Sequence, residues 1–112
     1  MTELIRMTAT AIVEALGNGE ISPLDCLDAL ERRIGEVDGA VNALPTRCLD
    51  RARTHARKLM EKPAAERGLL CGLPLPIKDL LDVSGVRSTR GSPIFTDHVP
   101  ERSDLLVSHL EG

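Results

Sequence analysis

GLPLPIKDLLDV, from Gly72 to Val83, is the most apolar run in this chain of 112 residues, and a lysine, Lys78, lies in its middle. Leu73 and Leu75 each precede a proline, which disfavours the α region for both and favours extended backbone. From Pro76 onward the side chains alternate between two faces, and both faces carry apolar residues. The pattern predicts an interior β-strand over about residues 76–83, covered on both sides.

Lys78 is the residue of this run that needs an explanation, because a buried ammonium is costly unless it is paired or loses its charge. In one interpretation the side chain extends to water near the end of the strand, or pairs with Asp79 or Asp82. In the other, burial disfavours the charged form and makes the amine a usable base near neutral pH. The local sequence leaves both interpretations open.

A wider set of spaced residues resembles the amidase signature family of serine amidohydrolases. The resemblance covers nearly the whole chain, and its central part is the run Gly72–Asp79. The residues that carry it downstream are Gly85, Thr89, Gly91, Ser92, Asp104, Val107, Leu110 and Gly112. Those that carry it upstream are Gly19-Glu20-Ile21-Ser22, Arg33-Ile34 and Val41-Asn42-Ala43.

The order of predicted elements is that of an incomplete α/β domain. Capping residues such as Thr8 and Ser22-Pro23 predict helix starts, and apolar periodicity predicts the helical faces. The predicted helices cover about residues 8–18, 22–38, 46–61 and 103–111. One or two strands do not make an independently stable sheet. The resemblance implies that residues 1–112 form the N-terminal helices and first strand or strands of a longer mixed-sheet domain.

The resemblance also implies a chemistry. In that family a serine attacks the carbonyl of an amide, a second serine held by a cis peptide relays the proton, and a lysine is the base. The lysine that matches is Lys78, and the matching residues expected to shape the site are Asp79, Thr89, Gly91 and Ser92. The sequence contains no adjacent pair of serines and no glycine-rich serine loop. We therefore expect the chain alone to be inactive.

Composition limits the partners and cofactors. The net charge of −3 argues against a general nucleic-acid binder. No apolar run approaches the length of about 18 residues that a membrane span needs, and no secretory signal follows Met1, so a cytoplasmic location is expected. Cys26, Cys48 and Cys71 are widely spaced and lack the spacing of zinc ligands. We expect no metal and no cofactor.

Three functions remain open at this stage. The first is an amidohydrolase acting on a small-molecule carboxamide, of which this chain is the N-terminal fragment. The second is the glutaminase-type component of a tRNA-dependent amidotransferase, which would need partner subunits. The third is a non-catalytic remnant or interaction domain, in which Lys78 is structural. For the isolated chain the unpaired apolar strand also predicts self-association.

Overall fold

The computed structural model describes residues 4–112, which divide into two compact units. Of the described residues, unit 1 comprises 4–43 and Leu49–Pro74, and unit 2 comprises Leu44–Cys48 and Leu75–Gly112. Residues 4–112 contain four α-helices: α1 (Ala9–Gly17), α2 (Pro23–Val41) and α3 (Leu49–Met60) in unit 1, and α4 (Leu105–Glu111) in unit 2. Short 3-10 turns occupy Leu4–Arg6, Ala64–Glu66 and Pro93–Phe95.

Helices α1 and α2 begin at the capping residues that the sequence predicts, whereas α3, predicted from about residue 46, begins at Leu49. The Thr8 side chain accepts the N–H of Ala11 at 3.2 Å at the start of α1. At the start of α2, Ser22 Oγ accepts from the N–H of Asp25 at 3.0 Å, and Asp25 Oδ2 accepts from the N–H of Ser22 at 2.8 Å. This reciprocal capping box satisfies two backbone donors that a helix start would otherwise leave unpaired.

The end of α2 differs from the sequence prediction, which stopped this helix at Asp38-Gly39. The helix continues to Val41 and ends at Asn42, whose φ of 54° places it in the left-handed region. The Asn42 N–H donates to the Asp38 carbonyl at 2.6 Å, and the Asp38 carboxylate accepts the N–H of Ala43 at 2.8 Å. A glycine is tolerated within a helix, and asparagine can supply the left-handed cap in its place.

The core of unit 1 is made of aliphatic side chains and two thiols. Leu16, Cys26 and Cys71 are buried together, and partly buried side chains pack against them: Ile12, Val13, Ile21, Ala64 and Leu73. α3 packs against α2, and Arg53 on α3 donates to Asp28 on α2 at 2.7 Å and to Glu31. The contact between α2 and α3 therefore includes two ion pairs made by one arginine.

Gly72 lies against the start of α2. Its φ is +98°, and a Cβ built there would lie 2.5 Å from Pro23 Cγ and 3.2 Å from Leu59 Cδ2. Real Cβ atoms do not come that close to other heavy atoms, so the chain can pass Pro23 here only with glycine. The opening glycine of the run Gly72–Val83 is thus required by packing within unit 1.

The strand predicted over residues 76–83 is wrong. Residues 73–78 have no regular secondary structure, and a turn at Asp79-Leu80 follows, closed by the Leu81 N–H donating to the Lys78 carbonyl at 2.9 Å. Among residues 4–112 the structure contains no β-strand, only an isolated bridge between Val83 and Val86. Pro74 and Pro76 carry no N–H for a ladder, and apolar alternation cannot form one without a partner. The fold described is therefore helical, and the α/β expectation is not supported by any strand in it.

Unit 2 is held together mainly by hydrogen bonds between loops. The Ser84 N–H donates to Ser103 Oγ at 2.8 Å, and the Gly85 N–H donates to the Pro100 carbonyl at 2.9 Å. The Ser88 N–H donates to the His98 carbonyl at 2.9 Å. Two loop segments, about residues 82–88 and 98–104, are therefore tied side by side without forming a ladder. None of the helices that the structure describes is long and apolar enough to cross a membrane.

Candidate active site

Lys78 is exposed, and it lies in unit 2 directly before the turn at Asp79-Leu80. Its carbonyl is fixed by the N–H of Leu81, but its amine forms no ion pair within residues 4–112. The two carboxylates expected to pair with it, Asp79 and Asp82, both have other partners. Of the structural interpretations, extension to water is therefore the one observed, and pairing with Asp79 or Asp82 is wrong. The enclosure of Lys78 in an interior strand is not observed either.

Asp79 is held by the loop that contains Thr89. The Thr89 N–H donates to Asp79 Oδ1 at 2.9 Å, and the Thr89 hydroxyl donates to Asp79 Oδ2. The Thr89 hydroxyl also accepts the N–H of Gly91 at 3.3 Å. The Thr89 hydroxyl first, and then its N–H, hold the pKa of Asp79 below the usual range of an aspartate. The carboxylate is thus stabilised as an anion and turned away from an ion pair with Lys78.

Ser92 belongs to the same loop, but its hydroxyl is used for capping. Its N–H donates to the Thr89 carbonyl at 3.0 Å, and its Oγ accepts the N–H of Ile94 at 3.3 Å, at the start of the 3-10 turn Pro93–Phe95. The structure therefore brings together all four residues predicted to shape the site: Asp79, Thr89, Gly91 and Ser92. Hydrogen bonds join Asp79, which directly follows Lys78 in the chain, to the loop that contains the other three.

A neighbouring charged cluster was missed by the sequence analysis. Arg90 Nη2 donates to both carboxylate oxygens of Asp82, at 3.2 and 3.0 Å, and its guanidinium carbon lies 5.2 Å from the centre of the Phe95 ring. His98 packs edge-on against Phe95, with Nε2 3.6 Å from Asp82 Oδ1. No sequence period relates these positions, so only the position of Arg90 between Thr89 and Gly91 could have singled it out.

The described residues offer no metal site. Within residues 4–112 no three His, Cys, Asp or Glu side chains lie close enough together to hold an ion. Cys26 and Cys71 are buried in the core of unit 1, and Cys48 is exposed. Burial, and then the nearby Asp25 carboxylate, raise the pKa of the Cys26 thiol, which disfavours the thiolate that metal binding or nucleophilic attack would need.

Comparison with known proteins supports the resemblance. A family model described as Amidase matches residues 25–112. The chain is 38% identical over 103 residues to the GatA-type component of the glutamyl-tRNA(Gln) amidotransferase of Shouchella clausii, covering 92% of this chain and 21% of that protein. It is 34% identical over 109 residues to the AtzE component of the 1-carboxybiuret hydrolase of Pseudomonas sp. (strain ADP), covering 95% of this chain and 24% of that protein.

A solved structure is similar to this chain. It belongs to a study of a vestigial protein complex that reveals the evolutionary origins of an s-triazine catabolic enzyme, and it matches with a TM-score of 0.85 and 31% identity. The match covers 94% of this chain and 24% of that chain. The chain thus spans between 21% and 24% of the length of these relatives.

Proposed function

Because this chain belongs to the Amidase family, we propose that it supplies the general base of an amide-cleaving acyl-transfer reaction, with Lys78 as that base. The substrate class is a small carboxamide. The observation that carries the proposal is that the Lys78 amine forms no ion pair in the part of the chain described. Next to Lys78, the residues that match the family's site are joined to one another by hydrogen bonds. Both neighbouring carboxylates are occupied elsewhere, by Thr89 and by Arg90, so neither holds the ammonium in an ion pair.

The proposed chemistry sets a condition on Lys78. A lysine amine in water is almost fully protonated at pH 7 and cannot accept a proton, whereas enclosure in apolar surroundings favours the neutral form. In residues 4–112 the side chain is exposed. We therefore propose that the chain forms the N-terminal part of a longer domain, whose remainder encloses Lys78 and provides the two serines. The amine then takes the proton released when the serine oxygen attacks the amide carbon, and this proton finally leaves with the amine product.

A second candidate is the glutaminase-type component of a tRNA-dependent amidotransferase. The name of the relative in Shouchella clausii favours it. In this case the carboxamide is that of glutamine, and the released ammonia passes to a partner protein. Glutamine hydrolysis that rises sharply when the partner proteins are added supports this candidate over a free-standing amidohydrolase.

A third candidate is a non-catalytic remnant or interaction domain. The study that contains the similar solved structure describes a vestigial complex, which favours this candidate for the present chain. Unit 2 also exposes large apolar side chains that a partner could cover, among them Leu80, Ile94 and Leu105. In this case Lys78 has no catalytic role, and its replacement leaves any activity of the assembly unchanged.

The test is an assay of the polypeptide encoded by the complete reading frame that contains residues 1–112. Release of ammonia is measured from acetamide, benzamide and glutamine for the wild type, Lys78→Ala and Lys78→Arg. Arginine keeps the charge but cannot be deprotonated. Both variants should therefore lose about 10⁴-fold in kcat, as triad variants of other hydrolases do. The isolated chain should show no turnover.

The matched control is Lys58→Ala, which removes an exposed lysine of α3. It should leave kcat unchanged. Circular dichroism of every variant checks that folding is intact. A folded Lys78→Arg enzyme that keeps a tenth or more of the wild-type kcat, a barrier change of about 1.4 kcal/mol or less, contradicts the proposed role of Lys78.

A further inference from the structure

Arg90 contacts both ends of the segment Asp79–Asp82, the turn with which the chain leaves Lys78. Its backbone N–H donates to the Asp79 carbonyl at 3.1 Å. Its side-chain Nη2 donates to Oδ1 and Oδ2 of Asp82 at 3.2 and 3.0 Å. Arg90 is therefore hydrogen-bonded to both ends of this turn and closes a ring of contacts around it. Its main chain binds one end and its side chain binds the other.

Asp82 is a fixed anchor for the guanidinium. Its N–H donates to Asp104 Oδ2 at 2.7 Å, and its carbonyl accepts the N–H of Asp104 at 2.9 Å. The Asp82 side chain is only 20% exposed, and its Oδ1 also faces His98 Nε2. Because its main chain is held from the opposite side, Asp82 cannot follow Arg90 if the loop moves. The ion pair thus restrains the loop.

The backbone of Arg90 shows that its side chain matters. Its φ is +53°, and the next residue, Gly91, has a φ of +68°. The left-handed region is unfavourable for a long side chain and persists only where the surroundings hold the residue there. The surroundings of Arg90 are the Asp82 carboxylate and the Phe95 ring, over which the guanidinium lies. Glycine would adopt this backbone more easily, so the arginine is present for its contacts.

We propose that Arg90 is a positioning residue for Lys78: by clamping the turn Asp79–Asp82 it sets the direction in which the Lys78 amine leaves the loop. The inference rests on the proposed function, since it treats the Lys78 amine as the base. Arg90 itself does not touch the reacting atoms. Its contribution is to keep the amine within reach of the proton it receives, where a misplacement of about 1 Å can lower a rate by about 100-fold.

The first test measures kcat and KM for Arg90→Gly, Arg90→Lys and Asp82→Asn in the polypeptide of the complete reading frame. Arg90→Gly removes the clamp while favouring the observed backbone, so loss of folding is not its expected effect. We expect kcat to fall about 10- to 100-fold with KM within about twofold. Arg90→Lys should recover part of the loss, because it keeps the charge without the planar fork. The double variant Arg90→Gly/Asp82→Asn should be no slower than either single variant.

The control is Arg102→Gly, which removes an exposed guanidinium of unit 2 that forms no hydrogen bond or ion pair in the part of the chain described. It should keep the wild-type kcat. If the wild type shows no turnover, or if its turnover does not depend on Lys78, the proposed function is contradicted. This outcome is known before any Arg90 variant is measured. An active wild type whose Arg90→Gly variant is as fast as Arg102→Gly overturns the positioning role alone.

A second test does not depend on activity. Hydrogen exchange at the amides of Leu81 and Asp82 should become at least about tenfold faster in Arg90→Gly and stay unchanged in Arg102→Gly, because only the former opens the ring around the turn. Unchanged exchange in Arg90→Gly overturns the inference, whether or not the polypeptide is an amidase.

Discussion

Replacement of Gly72 by alanine tests the close passage of the chain against the start of α2. The new methyl group would lie 2.5 Å from Pro23 Cγ, and the backbone would keep a φ of +98° that alanine rarely adopts. The unfavourable backbone costs about 1–2 kcal/mol, and the overlap costs about 1–3 kcal/mol. Pro23 cannot move aside easily, because the capping box of Ser22 and Asp25 holds it. We expect a loss of about 2–5 kcal/mol, a large part of the roughly 5–15 kcal/mol that stabilises a typical domain.

Two other glycines of unit 1 separate the two contributions. Gly19 has a φ of +74° with open space around its Cα, so Gly19→Ala should cost about 1–2 kcal/mol from the backbone alone. Gly68 has open space and no positive φ, so Gly68→Ala should stay within about 0.5 kcal/mol of the wild type. Urea unfolding followed by circular dichroism at the helical band measures all three. Equal losses in Gly72→Ala and Gly19→Ala would show that the overlap with Pro23 has no energetic effect, and would refute the packing argument.

Three further predictions concern charge and association. Thr89→Val removes the hydroxyl that lowers the pKa of Asp79, so this pKa should rise toward its usual value in a carboxyl NMR titration. Since a lowered pKa stabilises the folded state above about pH 4 and this stability is lost below it, the variant should lose stability at neutral pH and depend less on pH during acid unfolding. Arg53→Gln should weaken the contact of α2 with α3, and the difference from the wild type should shrink between about 0.05 M and 1 M salt if the ion pairs matter. The isolated chain should self-associate through exposed apolar side chains such as Leu80 and Leu105, and a sedimentation profile of a monomer at all concentrations would contradict this.

The helical part of the fold is the part that local sequence could predict. A capping box such as that of Ser22 and Asp25 involves residues three apart, so its geometry is already set by the sequence. The continuation of α2 through Gly39 was harder to predict, because glycine favours a helix end but is tolerated within a helix. The prediction of a strand over 76–83 was wrong because a strand, unlike a helix, is not determined by local sequence alone. A strand needs a second segment to pair with, and alternation of apolar residues carries no information about whether that partner is present.

The candidate site also has a part that the sequence could predict and a part that it could not. The residues Asp79, Thr89, Gly91 and Ser92 were grouped through a family resemblance, and their hydrogen bonds explain physically why they occur as a set. The pair Asp82–Arg90 could not be predicted from charge spacing, because the two side chains meet only after the loop closes and Arg90 adopts a left-handed backbone. The exposure of Lys78 agrees with one of the two interpretations that the sequence left open. The other interpretation, enclosure of the amine, depended on the predicted strand, which is not present.

The ties between the two loop segments of unit 2 have a consequence for the order in which the protein forms during synthesis. Asp82 is bonded to Asp104, which lies 22 residues later in the chain. At about 5–20 residues per second a ribosome adds Asp104 about 1–4 s after Asp82, so the turn after Lys78 waits that long for its acceptor. The capping box at the start of α2 joins residues only three apart, so its partners emerge almost together. We therefore expect the nascent chain to hold formed helices while the segment around Lys78 is still open to chaperones and proteases.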